Sequence, residues 1–172
     1  LLMLVVGRAT KIQDLLMSED KEYVGTITLG TTTNTQDAEG EVLEQREIPE
    51  FNDNELRTAF DQYSGEFEQI PPMVSAIKKD GVPLYKLARK GKEVKRDPRP
   101  VYVTSYELTR AEYPEVDFRV NCSKGFYVRT YAHDIGAALG CGGHLSALRR
   151  TRSGKFTLER ALKVDTLKEA GS

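Results

Sequence analysis

Apolar positions along this chain follow two periods, one near 3.6 and one near 2, and the switches between them mark out short helices and short strands. In RATKIQDLLMS the apolar residues Ile12, Leu15 and Leu16 fit a short helix, and KEYVGTITLG, rich in β-formers, reads as the strand that follows. TNTQDAEG carries turn chemistry, and EVLEQREI is strand-like again. NDNELRTAFDQY predicts a helix: Asn52 stands at the N-cap, Glu55 completes a capping box, and Leu56, Ala59, Phe60 and Tyr63 share one face. The prolines of QIPPMVSAIK demand extended backbone. In GVPLYKLARKG, Pro83 suits the first turn of a helix and Gly91 its stop.

In the second half, Val116, Phe118 and Val120 alternate in EVDFRVNCS, which with PVYVTSYELTR suggests two adjacent strands. After Gly125, residues 127–139 read as a helix stopped by Gly140, HLSALRR as a further short helical turn, and GKFTLERA as a last strand. Strands and helices mixed in no strict βαβ repeat place the chain in the α+β class, with a mixed, mainly antiparallel sheet and flanking helices. No internal repeat interrupts that order, so residues 1–172 are expected to form one domain.

Composition narrows the class. Hydrophobic residues make up 39% and charged residues 30% of the 172, an ordinary balance for a globular domain. No apolar run approaches the roughly 20 residues that span a bilayer, and LLMLVV at the start is too short and lacks a basic leader, so we expect a cytoplasmic protein with no membrane association. Cys122 and Cys141 are too few for a disulfide framework and read as reduced thiols. Cys141 and His144 have C-x-x-H spacing, but no second pair repeats it, and no metal site is expected.

Net charge is −1, yet the signs are segregated. Residues 1–77 hold 5 basic and 15 acidic side chains, residues 78–99 hold 9 and 3, and residues 119–160 hold 8 and 2. Two basic islands in an otherwise acidic chain look like a footprint for phosphates. CSKGFYVRTYAHDIG lies beside the second island. Taken as the end of a strand, its Tyr127 and Arg129 point the same way into one pocket, where an aromatic ring can stack on a base and a guanidinium can grip a carboxylate or phosphate. Lys124, Arg149, Arg150 and Arg152 surround them in sequence; the plainer alternative is a core tyrosine with a surface arginine.

Four stretches carry a resemblance. LGTTTNTQDAEG, GEFEQIPPMVSAIKKDGVPLYKLARKGKEVKR, CSKGFYVRTYAHDIG and GCGGHLSALRRTRSGKF occur in the order and spacing of the bacterial tRNA pseudouridine-55 synthases, and over nearly its whole length the chain resembles this family, the TruB family. The resemblance implies part of the pseudouridine synthase fold, with a basic insertion at about 70–100. It also implies an isomerase that flips one uridine out of the tRNA T-loop, detaches the base from C1′, rotates it and rejoins it through C5, without cofactor or metal. Carried over motif by motif, Arg129 resembles the partner of a catalytic aspartate, Tyr127 an aromatic of the pocket, Tyr23 the tyrosine that stacks on the target base, and Leu148 an apolar wall. Lys78, Lys79, Lys86, Arg89, Lys90 and Lys92, with Lys124, Arg149 and Arg150, are the expected contacts to the T-arm stem-loop of tRNA, bound by a monomer. The physics agrees: base extrusion costs a few kcal/mol that an aromatic platform offsets, and an adjacent guanidinium keeps a buried carboxylate ionised.

The departures define the alternatives. The family's aspartate stands in a G-x-L-D-P-x-A-x-G segment expected upstream of LLMLVVGRATK, and none of Asp14, Asp20 or Asp37 has that context, so residues 1–172 alone are expected to be inactive. A small C-terminal RNA-binding domain is expected beyond LKEAGS, while Asn34 and Val74 replace a usual acid and a common aromatic. The competing readings are a catalytically inactive module that binds or refolds tRNA, and a hydrolase using Ser123, His133 and Asp134. The second of these lacks a nucleophile elbow.

Overall fold

The computed structural model describes residues 1–79, 81–88, 94–163 and 166, with the side chains of Lys78 and Lys79 outside that description. A 3₁₀ turn, Gly7–Ile12, leads into helix α1 (Gln13–Ser18), and strand β1 follows (Lys21–Leu29). Short strands β2 (Thr31–Thr33) and β3 (Val42–Gln45) pair with each other, α2 spans Asp53–Asp61, and β4 spans Gly65–Gln69. Strands β5 (Lys78–Lys79) and β6 (Val82–Pro83) form a two-stranded ribbon that ends in α3 (Leu84–Ala88). The chain continues with β7 (Arg99–Glu112), β8 (Glu115–Cys122), α4 (Val128–Ala138), β9 (Gly143–Ser153) and β10 (Phe156–Thr157).

Among the described residues, six strands form one sheet in the order β10-β9-β1-β8-β7-β4, every pairing antiparallel. Alternation decides which face is covered: Gly25, Ile27 and Leu29 of β1, and Val116, Phe118, Val120 and Cys122 of β8, are buried. Against this face α4 sets Val128, Tyr131, Ala132 and Ile135, and α2 sets Leu56, Ala59 and Phe60. The rings of Phe60, Phe118, Phe126 and Tyr131 meet at centroid separations of 5.2–6.0 Å, joining sheet and helices through one aromatic cluster. Gly136 lets α4 press onto the loop before β9, because a Cβ there would run into the backbone of Gly142 and Gly143.

The α2 capping box is present as its sequence predicts, with Asn52 Oδ1 accepting from the amides of Asn54 and Glu55 and Glu55 Oε2 accepting from the Asn52 amide. Three expectations are corrected. HLSALRR is no helical turn: it lies inside β9, which fills the second edge of β1, so long-range pairing overrides the local Leu145–Leu148 spacing. Bulges at Ser146 and Thr151, seen as skips in the β1–β9 register, break the strict alternation that would have marked the strand. Pro83 ends β6 and precedes α3 by one residue, while Gly91 lies outside the described residues. GKFTLERA contributes only the two-residue β10 before a 3₁₀ turn at Leu158–Arg160.

Candidate active site around Arg129

The turn from β8 into α4 is set by Gly125, whose φ of 81° needs a residue without a Cβ. Tyr127 follows as the N-cap of α4, in extended conformation (φ −107°, ψ 108°), and Arg129 sits in the first helical turn. Strand alternation therefore does not relate the two residues, contrary to the sequence expectation; a helix start does.

Arg129 joins three segments. Its Nη1 donates to the Thr35 carbonyl at 3.3 Å and lies 3.4 Å from Asp37 Oδ2, and its Nη2 donates to the Val74 carbonyl at 2.6 Å. Both members of the ion pair keep about a quarter of their side-chain surface open to solvent, 22% for Arg129 and 24% for Asp37. The other carboxylate oxygen of Asp37 is already committed, accepting from Thr35 Oγ1 at 2.6 Å and from the Glu39 amide at 3.1 Å. The loop is pinned from both sides. Gln36 and Ala38 exchange backbone hydrogen bonds with Leu145 of β9, and Thr130 Oγ1 donates to Gln36 Oε1 at 2.9 Å. Asp37 is the residue that sequence reasoning passed over. In sequence it stands within the turn chemistry of TNTQDAEG, and nothing local signals a partner 92 positions away.

Tyr23 belongs to a second cluster. It stands between Val120 of β8 and Arg150 of β9, and residues opposite one another across a ladder share a face, so Tyr23, Arg150 and the Gly25–Leu148–Phe118 row look toward the helices. Burial pushes the acidity of the Tyr23 hydroxyl down, against the opposing influence of the Arg150 guanidinium, keeping the phenol neutral. Arg150 Nε also donates to the Leu1 carbonyl at 2.9 Å. Leu148 is 48% exposed, an apolar side chain at the open end of that row. Among the described residues, the polar partners of Arg129 and those of Tyr23 have no member in common.

The basic residues separate by place. Arg149 is exposed on the face opposite Arg150, since neighbours on a strand alternate, so the two do not make one patch. Lys124 and Lys86 are exposed. The Lys78 and Lys79 side chains, and Arg89, Lys90 and Lys92 altogether, lie outside the described residues. Arg152 donates to Asn121 Oδ1 at 2.7 Å. The buried Cys141 thiol donates to the Gly142 carbonyl, and His144 Nδ1 sits 2.9 Å from the Thr31 carbonyl. Asp134 and His133 are half-buried on α4, where desolvation raises the Asp134 carboxyl to about 6 and lowers the imidazole's pKa. No helix among the described residues is long and apolar enough to cross a membrane.

Residues 1–128 match the family model for TruB family pseudouridylate synthase (N terminal domain), and residues 129–172 match the one for tRNA pseudouridylate synthase B C-terminal domain. The boundary between these matches cuts through one sheet, since β8 and β9 both pair with β1. The chain is 56% identical over 167 residues to tRNA pseudouridine synthase B of Opitutus terrae, covering 97% of this chain and 69% of that protein. It is 50% identical over 164 residues to the protein of the same name from Francisella philomiragia, covering 95% of this chain and 54% of that one. Among solved structures it resembles a chain of a Cbf5-Nop10-Gar1 complex, with a TM-score of 0.69 and 28% identity over 98% of this chain and 43% of that one. A chain in the structure of an H/ACA RNP bound to a substrate RNA containing 2′-deoxyuridine shares the fold, with a TM-score of 0.64.

Proposed function

We infer the reaction from the family, because this chain belongs to the TruB family of pseudouridylate synthases. The proposed activity is isomerisation of a T-loop uridine in tRNA to pseudouridine: the base is flipped from its stack, its glycosidic bond broken, and the ring rejoined through C5 with loss of the C5 hydrogen. The observation that carries it to particular residues is the Arg129 junction, a guanidinium held at a helix start by Asp37, Thr35 and Val74 and still part-open to solvent.

In this reading Arg129 pairs with the carboxylate that acts at C1′ and keeps it ionised as the site closes. Asp37 does not supply that carboxylate. Its oxygens are already satisfied by Thr35, Glu39 and Arg129, which makes it the orienting partner. The acting group is proposed to come from outside residues 1–172, because no aspartate of this sequence stands in a G-x-L-D context. Tyr23 offers the aromatic face and a neutral hydroxyl for the base, beside Leu148, and the exposed cations Lys86, Lys124 and Arg149 are proposed to face tRNA phosphates.

The test is release of label from a T-arm stem-loop carrying tritium at uridine C5. Full-length protein should release it and residues 1–172 alone should not. No release by the full-length protein would favour the inactive tRNA-binding module, and release by residues 1–172 would place the acting carboxylate within them.

A further inference from the structure

Gln69 closes β4 with a side chain that is 2% exposed, an unusual place for a primary amide. Its Oε1 accepts from the Tyr127 amide at 2.8 Å and its Nε2 donates to the Tyr127 carbonyl at 3.1 Å. The side-chain amide thus stands in for a strand, pairing both backbone groups of one residue. Tyr127 needs such a partner. It is the N-cap of α4, its own side chain makes no capping bond, and its amide has no acceptor within the helix. The Tyr127 carbonyl uses its second lone pair for the first helical bond, from Tyr131.

The same short segment is tied again five residues on, where Arg129 Nη2 donates to the Val74 carbonyl. Between the ties run Pro71 and Pro72, both buried, whose rings fix φ and leave little slack. We propose that Gln69 is a positioning residue for the reaction: by gripping the Tyr127 backbone it sets both the start of α4 and, through the proline strut, the Val74 carbonyl against which Arg129 is aimed. The inference rests on the function proposed above. An amide is required because adjacent donor and acceptor atoms must face a peptide's carbonyl and amide together. A carboxylate offers two acceptors, and leucine offers neither.

The experiment uses full-length protein and a T-arm stem-loop, with single-turnover rate and RNA Kd measured separately. Gln69→Leu should lower the rate at saturating RNA by roughly 10- to 100-fold, the cost of a small misplacement at a reacting centre, and leave Kd within about 3-fold of wild type. Hydrogen exchange should show lost protection at the Tyr127 amide while the Leu139 amide, bonded to the Ile135 carbonyl at the far end of α4, keeps its own. Gln69→Glu should be slow at pH about 8 and recover relative to wild type as pH falls, because only the neutral carboxyl can donate to the Tyr127 carbonyl while accepting from its amide.

Unchanged rates in both variants, equal losses in rate and Kd, or a flat pH ratio for Gln69→Glu would overturn the positioning role. Retained protection at Tyr127 in Gln69→Leu would overturn the clamp itself. A wild-type protein that makes no pseudouridine would instead overturn the proposed reaction, and the role in it with it.

Discussion

The Arg129 guanidinium and the Asp37 carboxylate, 92 positions apart, meet at 3.4 Å because α4 and the loop after β2 are both anchored on β9. Asp37 balances a charge that would otherwise lie part-buried beside carbonyls, and it fixes the direction of the guanidinium. In full-length protein, Arg129→Ala should cut turnover by roughly 10²–10³-fold or more, the scale for losing a preorganised electrostatic group, with little change in RNA affinity. Arg129→Lys should rescue poorly, since an ammonium cannot reach Thr35, Asp37 and Val74 at once. Parallel loss of binding and turnover would make Arg129 an RNA-docking residue.

Tyr23 separates ring from hydroxyl. Tyr23→Phe keeps the aromatic surface but removes the neutral hydroxyl available for proton handling, so it should impair turnover while leaving RNA binding near wild type. Tyr23→Ala should weaken both. A Phe variant with full activity would confine Tyr23 to stacking.

Lys86 is a described cation of the first basic island, exposed on α3. If it contacts phosphate, Lys86→Gln should flatten the plot of log affinity against log salt by about 0.7–0.9. Adding the same change at Lys90 and Lys92 should bring the total to about two units, with no change in which uridine reacts. A salt titration that overlays wild type would make the island a solvated face.

Asp134 predicts a pH signature in stability. Burial raises its carboxyl from 3.8 to about 6, so between those values the folded state holds a proton the unfolded state has released, and stability falls as pH rises through that window. Above it the penalty is complete. Asp134→Asn should therefore stabilise the fold at neutral pH by about 1–2 kcal/mol, allowing for partial solvent access, and change nothing below pH 3.8. Denaturant melts at several pH values read this directly. A gain independent of pH would mean that the carboxylate is not desolvated.

Much of the frame was legible because its signals are local. The α2 capping box, the β-formers of β1, the alternation in β8 and the stop of α4 before Gly140 all follow from neighbouring residues. β9 was misread because its pairing with β1 is long-range and its two bulges erase the alternating pattern. The family motifs singled out Tyr23, Tyr127, Arg129 and Leu148 as candidates, and the structure sets Arg129 and Tyr23 in two clusters that share no polar partner among the described residues. Asp37 and Gln69 stayed hidden, because each acts on α4 from a loop or strand end far away in sequence and their residue types are equally at home in turns and on surfaces. Arg149 and Arg150 read as one patch until the strand put them on opposite faces.

The central claim is that this chain belongs to an enzyme that makes pseudouridine at one T-loop position, and site mapping on intact tRNA tests it most directly. Unmodified tRNA transcripts would be incubated with full-length protein, and each uridine read by carbodiimide adduction and reverse transcription. The account predicts a single new stop, in the T-loop, that disappears with Arg129→Ala. Pseudouridine at other positions, or none anywhere while the protein still binds the tRNA, would contradict it.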